Sequence, residues 1–219
     1  MYNGVDSILN NNSWSKIRAM SDRGEGENYW NVGDTKSITI NGKIGNTTVN
    51  QTVNAVILGF NHNSSKEGNN RIHFLIGKSG DNLCGMTDSQ YGNLASEAGW
   101  CSMNITNTNS GGWNDSYMRK TFLGNTGTPT KPVENTFLAA LPADLRAKMK
   151  SCTKYSDNTG GNSSSSSAVT TTTDYLFLST ATVSDCRQSG TKMRILVPFF
   201  YEFLRNQSLL AIYINFYLD

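Results

Sequence analysis

The sequence contains little proline, cysteine, histidine or charge. Its 219 residues include 4 Pro, 4 Cys and 2 His, and charged residues make up 16% of the chain. The formal net charge is only +2, which argues against a dedicated nucleic-acid-binding protein because such proteins normally carry a strongly basic face. We therefore expect no nucleic-acid partner.

The cysteines and histidines argue against the common metal sites. The cysteines lie far apart, none forms a CxxC pair, and no histidine stands at metal-ligand spacing from them. We therefore expect no zinc site, and neither a metal nor a cofactor. Four free thiols in a reducing compartment are the favoured interpretation, although disulfides remain open. The four residues are Cys84, Cys101, Cys152 and Cys186.

A secretion signal is missing from the first residues. Residues 1–6 have neither a basic n-region nor an apolar h-region, so no signal peptide is predicted. We expect synthesis in the cytoplasm. A protein made there can still reach the outside, for example in a phage particle that is released by lysis.

Small polar residues are abundant instead. Asn, Ser and Thr make up about a third of the chain, beside 20 Gly, and this composition suits turns and short strands better than long helices. The chain also has 4 Trp, 9 Tyr and 9 Phe, too many aromatic side chains for a disordered protein. Length and composition predict one compact domain, or at most two small ones.

The spacing of apolar residues predicts short helices and hairpins. A helix is expected from Trp14, with Asn12 or Ser13 as its cap. Asn41-Gly42 is a strong signal for a hairpin turn. Further strands are expected at 52–60 and 71–76, helices at 113–120, at 137–141 and from Pro142 through Met149, and a second hairpin from 151–157 and 169–178.

The last residues differ in composition from the rest of the chain. Residues 197–218 contain seven of the aromatic side chains, interrupted by polar residues such as Glu202 and Arg205. Three interpretations are open. The segment could be a membrane span, although the polar residues disfavour this. It could be a buried helix or strand pair that completes the domain. It could also be the product of a shifted reading frame in AT-rich DNA.

Several stretches, in one order along the chain, carry a resemblance to a known family. They include Gly111-Gly112-Trp113 and Asp174-Tyr175-Leu176. The chain resembles a bacterial and phage domain family of unknown function, common in gut Firmicutes and their phages. That family is distantly similar to the C-type-lectin-like fold of formylglycine-generating enzymes and phage receptor-binding variable domains. The stretches are 9–19, 29–30, 32–42, 57–63, 70–74, 109–113, 117–119, 138–142, 144–146 and 173–176.

The resemblance implies a fold and a division of the chain. It implies an α+β fold with a C-type-lectin-like core of short antiparallel strands and two or three helices, in a domain over residues 1–178. The family's later Trp-Trp-Leu-Arg-Ser type motif is absent, since no tryptophan follows Trp113. We therefore expect a fold that is incomplete at the C-terminus, and a divergent tail, in one interpretation frame-shifted, over residues 179–219.

The candidate binding residues lie in the polar loops 61–70 and 79–112. No catalytic residues are predicted, since the sequence has no GxSxG motif and Cys186 has no matching partner for formylglycine chemistry. For the histidine in the first loop, stabilisation of a turn is the favoured interpretation, and tryptophans at helix starts and turns are more often core anchors. His73 is expected to be exposed or hydrogen-bonded on its strand. The candidates are Asn61, His62, Asn63, Trp100 and Trp113.

Taken together, the residues and the resemblance predict recognition without catalysis. We expect a display domain of a phage or prophage virion-associated (tail-type) protein, or of a bacterial surface protein, that binds a bacterial surface glycan or protein. It would act in a virion or at the cell surface, within a larger assembly, and no membrane span is favoured. The alternatives are a structural component without a ligand, and a degenerate relative of formylglycine-generating enzymes.

Overall fold

Short helices and antiparallel strands alternate along the chain, which confirms the α+β class. The computed structural model describes residues 4–61, 64–79, 82–83, 104, 110–157, 169–179 and 213–218. None of the helices in these ranges has the length and hydrophobicity of a membrane span. The helices are α1 (Trp14–Asp22), α2 (Gly26–Tyr29), α3 (Ser64–Glu67), α4 (Gly112–Asp115), α5 (Phe137–Ala140) and α6 (Ala143–Arg146), with a 3-10 turn at Leu9–Asn11 and a π-helical turn at Met118–Phe122.

One seven-stranded sheet dominates the fold. Its order is β1-β2-β3-β9-β5, with β4 paired to β3 and β8 paired to β9, and β6 and β7 form a separate hairpin. All of these pairings are antiparallel. The strands are β1 (Thr35–Ile44), β2 (Thr47–Phe60), β3 (Ile72–Ser79), β4 (Asn82–Leu83), β5 (Met149–Lys150), β6 (Cys152–Asp157), β7 (Val169–Asp174), β8 (Phe177–Ser179) and β9 (Tyr213–Leu218).

Helix α1 begins where the sequence predicts. Ser13 is its N-cap, and its Oγ accepts a hydrogen bond from the backbone N–H of Lys16 at 3.2 Å. The predicted apolar stripe is buried against the sheet. The Trp14 ring meets the Phe74 ring of β3 edge-on, with the centroids 5.5 Å apart, so the helix is fixed over the middle of the sheet.

The first hairpin turns later than predicted. Strand β1 runs straight through Asn41-Gly42, and the two-residue turn is Gly45-Asn46, since Ile44 pairs with Thr47. The alternation of buried residues explains the difference: Ile44 continues the buried face of β1 only if the strand is not interrupted at 41–42. Gly-Asn is also a hairpin dipeptide, so two competing signals are present and burial selects the second.

The outer edge of β1 is partly covered by other elements. The backbone N–H of Ser37 donates to Oδ1 of Asn10 at 2.9 Å, and the N–H of Gly45, just past the strand, donates to the carbonyl of Asn135 at 2.7 Å. Unpaired edge groups are a template for aggregation. These loop contacts therefore satisfy donors that a free edge would present.

The central strands are buried on both faces. Adjacent residues of a strand point to opposite faces, yet all residues from Ile72 to Ile76 of β3 are buried, and Leu75 packs with Val56 and Leu58 on the face away from α1. The expectation that His73 is exposed is therefore wrong. The His73 ring is fully buried and stacks on the ring of Phe177, with the centroids 5.7 Å apart.

The described part of the tail belongs to the same sheet. Residues 213–218 form β9, which pairs with β3 along one side and with β5 and β8 along the other. This strand comes from the segment for which a membrane span, a completing element and a shifted frame were all considered. It links the strands of the first 83 residues to those that follow residue 148.

The elements between residue 112 and β9 follow the predicted order with two corrections. The helix predicted at 113–120 is divided into α4 and the π-helical turn Met118–Phe122, because Ser116 between them is extended. The second hairpin forms as predicted, with Cys152 opposite Asp174 and Asp157 opposite Val169. The helix after Pro142 ends at Arg146, whereas Met149 was expected to lie on it. Met149 instead pairs with Leu218 of β9, so strand pairing replaces a helical turn that the four-residue spacing alone favoured.

Candidate functional site

A shallow groove lies where α1 and α2 meet the connection between β2 and β3. We call it the corner groove. About 190 Å³ of empty space lies within it, including the solvent at its mouth. The groove is therefore open to solvent and does not enclose a cavity of the size that holds a drug-sized ligand. Gly26, Glu27, Phe60, Asn61, Asn70 and Arg71 line it, with Ser21, Gly24 and Ile72 behind them.

Two asparagines shape the β2–β3 side of the corner groove. Asn61 has φ of 58° and Asn70 has φ of 69°, and asparagine is among the few residues besides glycine that adopt this left-handed conformation readily. The backbone N–H of Asn61 donates to the carbonyl of Arg71 at 2.9 Å, and the N–H of Arg71 donates to Oδ1 of Asn61 at 3.1 Å. The two ends of the connection are thereby held together.

The end of α1 is bound to this connection. Ser21 Oγ donates to the carbonyl of Asn70 at 2.9 Å, and Asn70 Nδ2 donates to the carbonyl of Asp22 at 2.9 Å. Gly24 has φ of 69°, and a Cβ there would lie 2.7 Å from Oδ1 of Asn70. A glycine is therefore required for the chain to pass so close to Asn70.

The floor of the corner groove is apolar and depends on a second glycine. A Cβ at Gly26 would lie 3.0 Å from Cδ1 of Ile72 and 3.1 Å from Cε1 of Phe60. A larger residue at this position would therefore require the Ile72 and Phe60 side chains to move by a few tenths of an ångström. Ile72 is buried, whereas Phe60 is half-buried, so part of the Phe60 side chain remains accessible.

The two charged side chains of the groove differ in their exposure to solvent. Glu27 is exposed on α2. Arg71 is only 6% exposed, and its Nη1 donates to the carbonyl of Ser151 at 2.9 Å, so this cation also ties the groove to the start of β6. Carboxylate and amide groups beside an accessible aromatic ring can hold a small polar molecule that has one apolar face.

The groove offers little for catalysis. Among its described lining residues Glu27 is the only carboxylate, whereas glycoside hydrolysis generally uses a pair. The Ser21 hydroxyl is engaged by Asn70. Across the described ranges no group of three or more His, Cys, Asp or Glu side chains could hold a metal ion.

One candidate residue lies in the corner groove and three cannot be placed. Asn61 is half-buried and lines the groove, as described above. His62, Asn63 and Trp100 lie outside the described residues. Of the two loops that carried the binding prediction, the structure describes 61 and 64–70 of the first, and of the second 79, 82–83, 104 and 110–112.

Trp113 is a core residue and not an open stacking platform. It is 2% exposed, and its indole Nε1 donates to Oδ2 of Asp174 at 2.7 Å. Arg119 Nε donates to the other oxygen, Oδ1, at 2.8 Å. As a ligand-binding residue Trp113 is therefore corrected to the alternative that the sequence also offered, a core anchor. We call these three residues the Asp174 cluster.

A perturbed lysine lies beside α1. Burial lowers the pKa of Lys36, while the charge of Asp144 acts in the opposite direction. The Lys36 Nζ donates to the carbonyl of Asn10 at 3.1 Å and lies 5.5 Å from the centre of the Trp14 ring. These contacts hold the 3-10 turn onto β1, which is a structural role.

Sequence reasoning missed most of the corner groove. It selected Asn61 but not Glu27, Phe60 or Arg71, because Glu27 lies more than 30 positions before the other two and the three residues share no motif. The available signal was indirect: an asparagine directly after a buried strand, and glycines after α1. No family model, curated protein or solved structure that was compared with this chain matches it.

Proposed function

We propose that the protein is a non-catalytic recognition domain that binds a bacterial surface glycan in the corner groove. It would be part of a phage or prophage virion-associated protein of the tail type, or of a bacterial surface protein. The support is the combination, in one small groove, of an exposed carboxylate, amide groups and an accessible aromatic side chain. The resemblance seen in the sequence supports the phage and surface context.

The chemistry of a sugar fits these groups. Sugar hydroxyls donate to carboxylates and exchange hydrogen bonds with amides, and the apolar face of a pyranose ring packs on aromatic carbon. The groove is shallow and open to solvent, so it would contact one side of a single terminal sugar without enclosing it. The groove would therefore recognise a single sugar unit of a surface polysaccharide.

Glycan binding by the full chain tests this proposal. The chain is screened on an array of bacterial glycans, and hits are titrated calorimetrically with the wild type, Glu27→Gln and Glu134→Gln. Both glutamates are exposed, but Glu134 precedes α5 and does not line the groove. A hydrogen bond to a charged group contributes about 1.5–3 kcal/mol, so Glu27→Gln should weaken binding at least about tenfold while Glu134→Gln binds like the wild type.

Two results would contradict the proposal. If no glycan on the array binds, the chain is better described as a structural component without a ligand. If a glycan binds but Glu27→Gln and Glu134→Gln behave alike, recognition takes place elsewhere on the chain. Formation of an aldehyde on a cysteine-containing peptide would favour the alternative of a formylglycine-generating relative.

A further inference from the structure

Strand β9 occupies a slot that is bounded by strands on both sides. Along one side, five residues from Ile214 to Leu218 pair with Ile76 to Ile72 of β3. Along the other, Tyr217 and Leu218 pair with β5, and residues 213–215 pair with β8. We call the space between β3 on one side and β5 and β8 on the other the strand slot. Filling it joins the two halves of the sheet.

The sequence of β9 makes this segment prone to pair with other chains when it is not in the slot. Tyr213-Ile214-Asn215-Phe216-Tyr217-Leu218 contains no charge, no proline and no glycine. Six-residue segments of this kind have the composition of strands that pair readily with other chains. On the β3 side of the slot, residues 72–76 are buried and, apart from His73, apolar. An empty slot and a free β9 would each be a site for association.

The connection to β9 is long. Thirty-three residues, 180–212, separate Ser179 at the end of β8 from Tyr213. A chain of this length can span up to about 110 Å when extended, which is several times the width of the sheet. The covalent connection therefore permits β9 to enter the slot of its own chain or the slot of a neighbouring copy.

We propose that β9 exchanges between two copies of this chain, each inserting its β9 into the strand slot of the other. The backbone pairs with β3, β5 and β8 are the same in the exchanged and unexchanged forms, so exchange leaves every strand partner satisfied. The monomer is favoured only by the effective concentration of its own tethered strand, which is on the order of millimolar for flexible connections. Crowded display, or refolding at high concentration, favours the dimer.

The register of β3 and β9 provides the test. Leu75 lies opposite Asn215, and directly opposed residues of antiparallel strands have Cα atoms about 4.5–5.5 Å apart, within the range that a disulfide spans. Full-length chains whose four native cysteines are replaced carry either Leu75→Cys or Asn215→Cys. The two are mixed, unfolded, refolded together at high concentration and oxidised.

We expect covalent heterodimers in this mixture. The matched control mixes Leu75→Cys with Leu218→Cys, because Leu218 lies opposite Ile72, three positions out of register. Heterodimers at the level of this control, or none, would overturn the proposal. A chain with Leu75→Cys and Asn215→Cys together is oxidised as a dilute monomer before it is unfolded and refolded at high concentration. It should then remain a monomer, because the disulfide prevents exchange.

The unsubstituted chain gives an answer that does not depend on whether the cysteine variants fold. After refolding at about millimolar concentration, sedimentation of the wild type should show a dimer that persists on dilution until the chain is unfolded again. A wild type that sediments only as a monomer after the same treatment would overturn the exchange. Since glycan binding plays no part in either measurement, the outcome is independent of the proposed function.

Discussion

A buried carboxylate organises the packing at the scale of single residues. The Asp174 side chain has no solvent exposure, and Arg119 is 14% exposed. Both carboxylate oxygens accept hydrogen bonds, one from Arg119 and one from Trp113. A buried ion pair of this kind is destabilising when one partner is removed, because the remaining charge then lies uncompensated in a medium of low dielectric constant.

Arg119→Met should therefore lower the free energy of unfolding by about 3–5 kcal/mol, measured by urea denaturation. Lys120→Met is the matched control. Lys120 is the next residue of the same π-helical turn, and its 2.7 Å ion pair with Asp115 has side-chain exposures of 43% and 54%. A pair exposed to this degree contributes about 0–1 kcal/mol. Equal losses in the two variants would show that Asp174 does not need its buried partner.

A second residue-scale prediction concerns Asp6. Its carboxylate accepts hydrogen bonds from the backbone N–H of Ile8 at 2.7 Å and from Nδ2 of Asn11 at 2.9 Å. The bonds from Ile8 and Asn11, helped by the charge of Lys16, hold the pKa of Asp6 below its ordinary value of 3.8. The ionised form is thus favoured by folding, and this stabilisation is present above pH 3.8 and lost as the pH falls through the lowered pKa.

Asp6→Asn should unfold at a lower temperature than the wild type at neutral pH, and the difference should shrink as the pH falls below 3.8. Melting temperatures measured from neutral pH to acid test this. Glu134→Gln, an exposed substitution distant in sequence from Asp6, is the control and should melt like the wild type at neutral pH. A difference between Asp6→Asn and the wild type that stays constant with pH would contradict the assignment.

At the scale of elements, the helices are short and depend on capping and packing. Apart from α1, every described helix has four residues or forms a single irregular turn, too short to be stable in isolation. Helix α1 has nine residues and a side-chain N-cap. Its stability therefore combines the cap with burial of Trp14, Ile17 and Met20.

Ser13→Ala should remove this cap and lower the free energy of unfolding by about 1 kcal/mol. Ser15→Ala, two residues later on the exposed side of the same helix, is the control. It should be neutral or slightly stabilising, because alanine has the higher helix propensity. Urea denaturation of both variants separates the two effects, and an equal loss from both would mean that Ser13 does not act as a cap.

Turn and strand boundaries were set by competition between elements. The hairpin could have turned at Asn41-Gly42 or at Gly45-Asn46, and the burial of Ile44 against the core selects the later turn. Likewise Met149 could have extended a helix but pairs with β9. In each case the local sequence was compatible with both structures. A contact with residues distant in sequence determined which of the two formed.

At the scale of the whole molecule, β9 decides how the sheet is connected. Without it, β3 would be the inner end of an N-terminal sheet, and β5 and β8 would have no strand partners among the described residues. The pairing of β3 with β9 joins residues about 140 positions apart. Contacts of such separation form late because the loop must close first. We expect the strand slot to stay open during much of folding, when exchange is easiest.

The corner groove likewise forms only when the whole molecule is folded. Its residues come from α1, α2, the end of β2 and the start of β3, and its shape depends on two glycines that permit a close approach of separate segments. From sequence, Asn61 could be chosen as a loop residue after a buried strand. Glu27, Phe60 and Arg71 could not, because nothing in their local sequence shows that they meet.

The sequence by itself determined the α+β class, the start of α1 next to a cap at Asn12 or Ser13, the strands around residues 57 and 74, and the second hairpin. These follow from local periodicity and capping, which involve neighbours in the chain. Only the tertiary structure decided the turn of the first hairpin, the burial of His73 and Trp113, the convergence on the corner groove and the place of β9. Those features depend on which distant segments pack together. The free energy gained when residues distant in sequence bury each other outweighs the local preference for a turn or a helix.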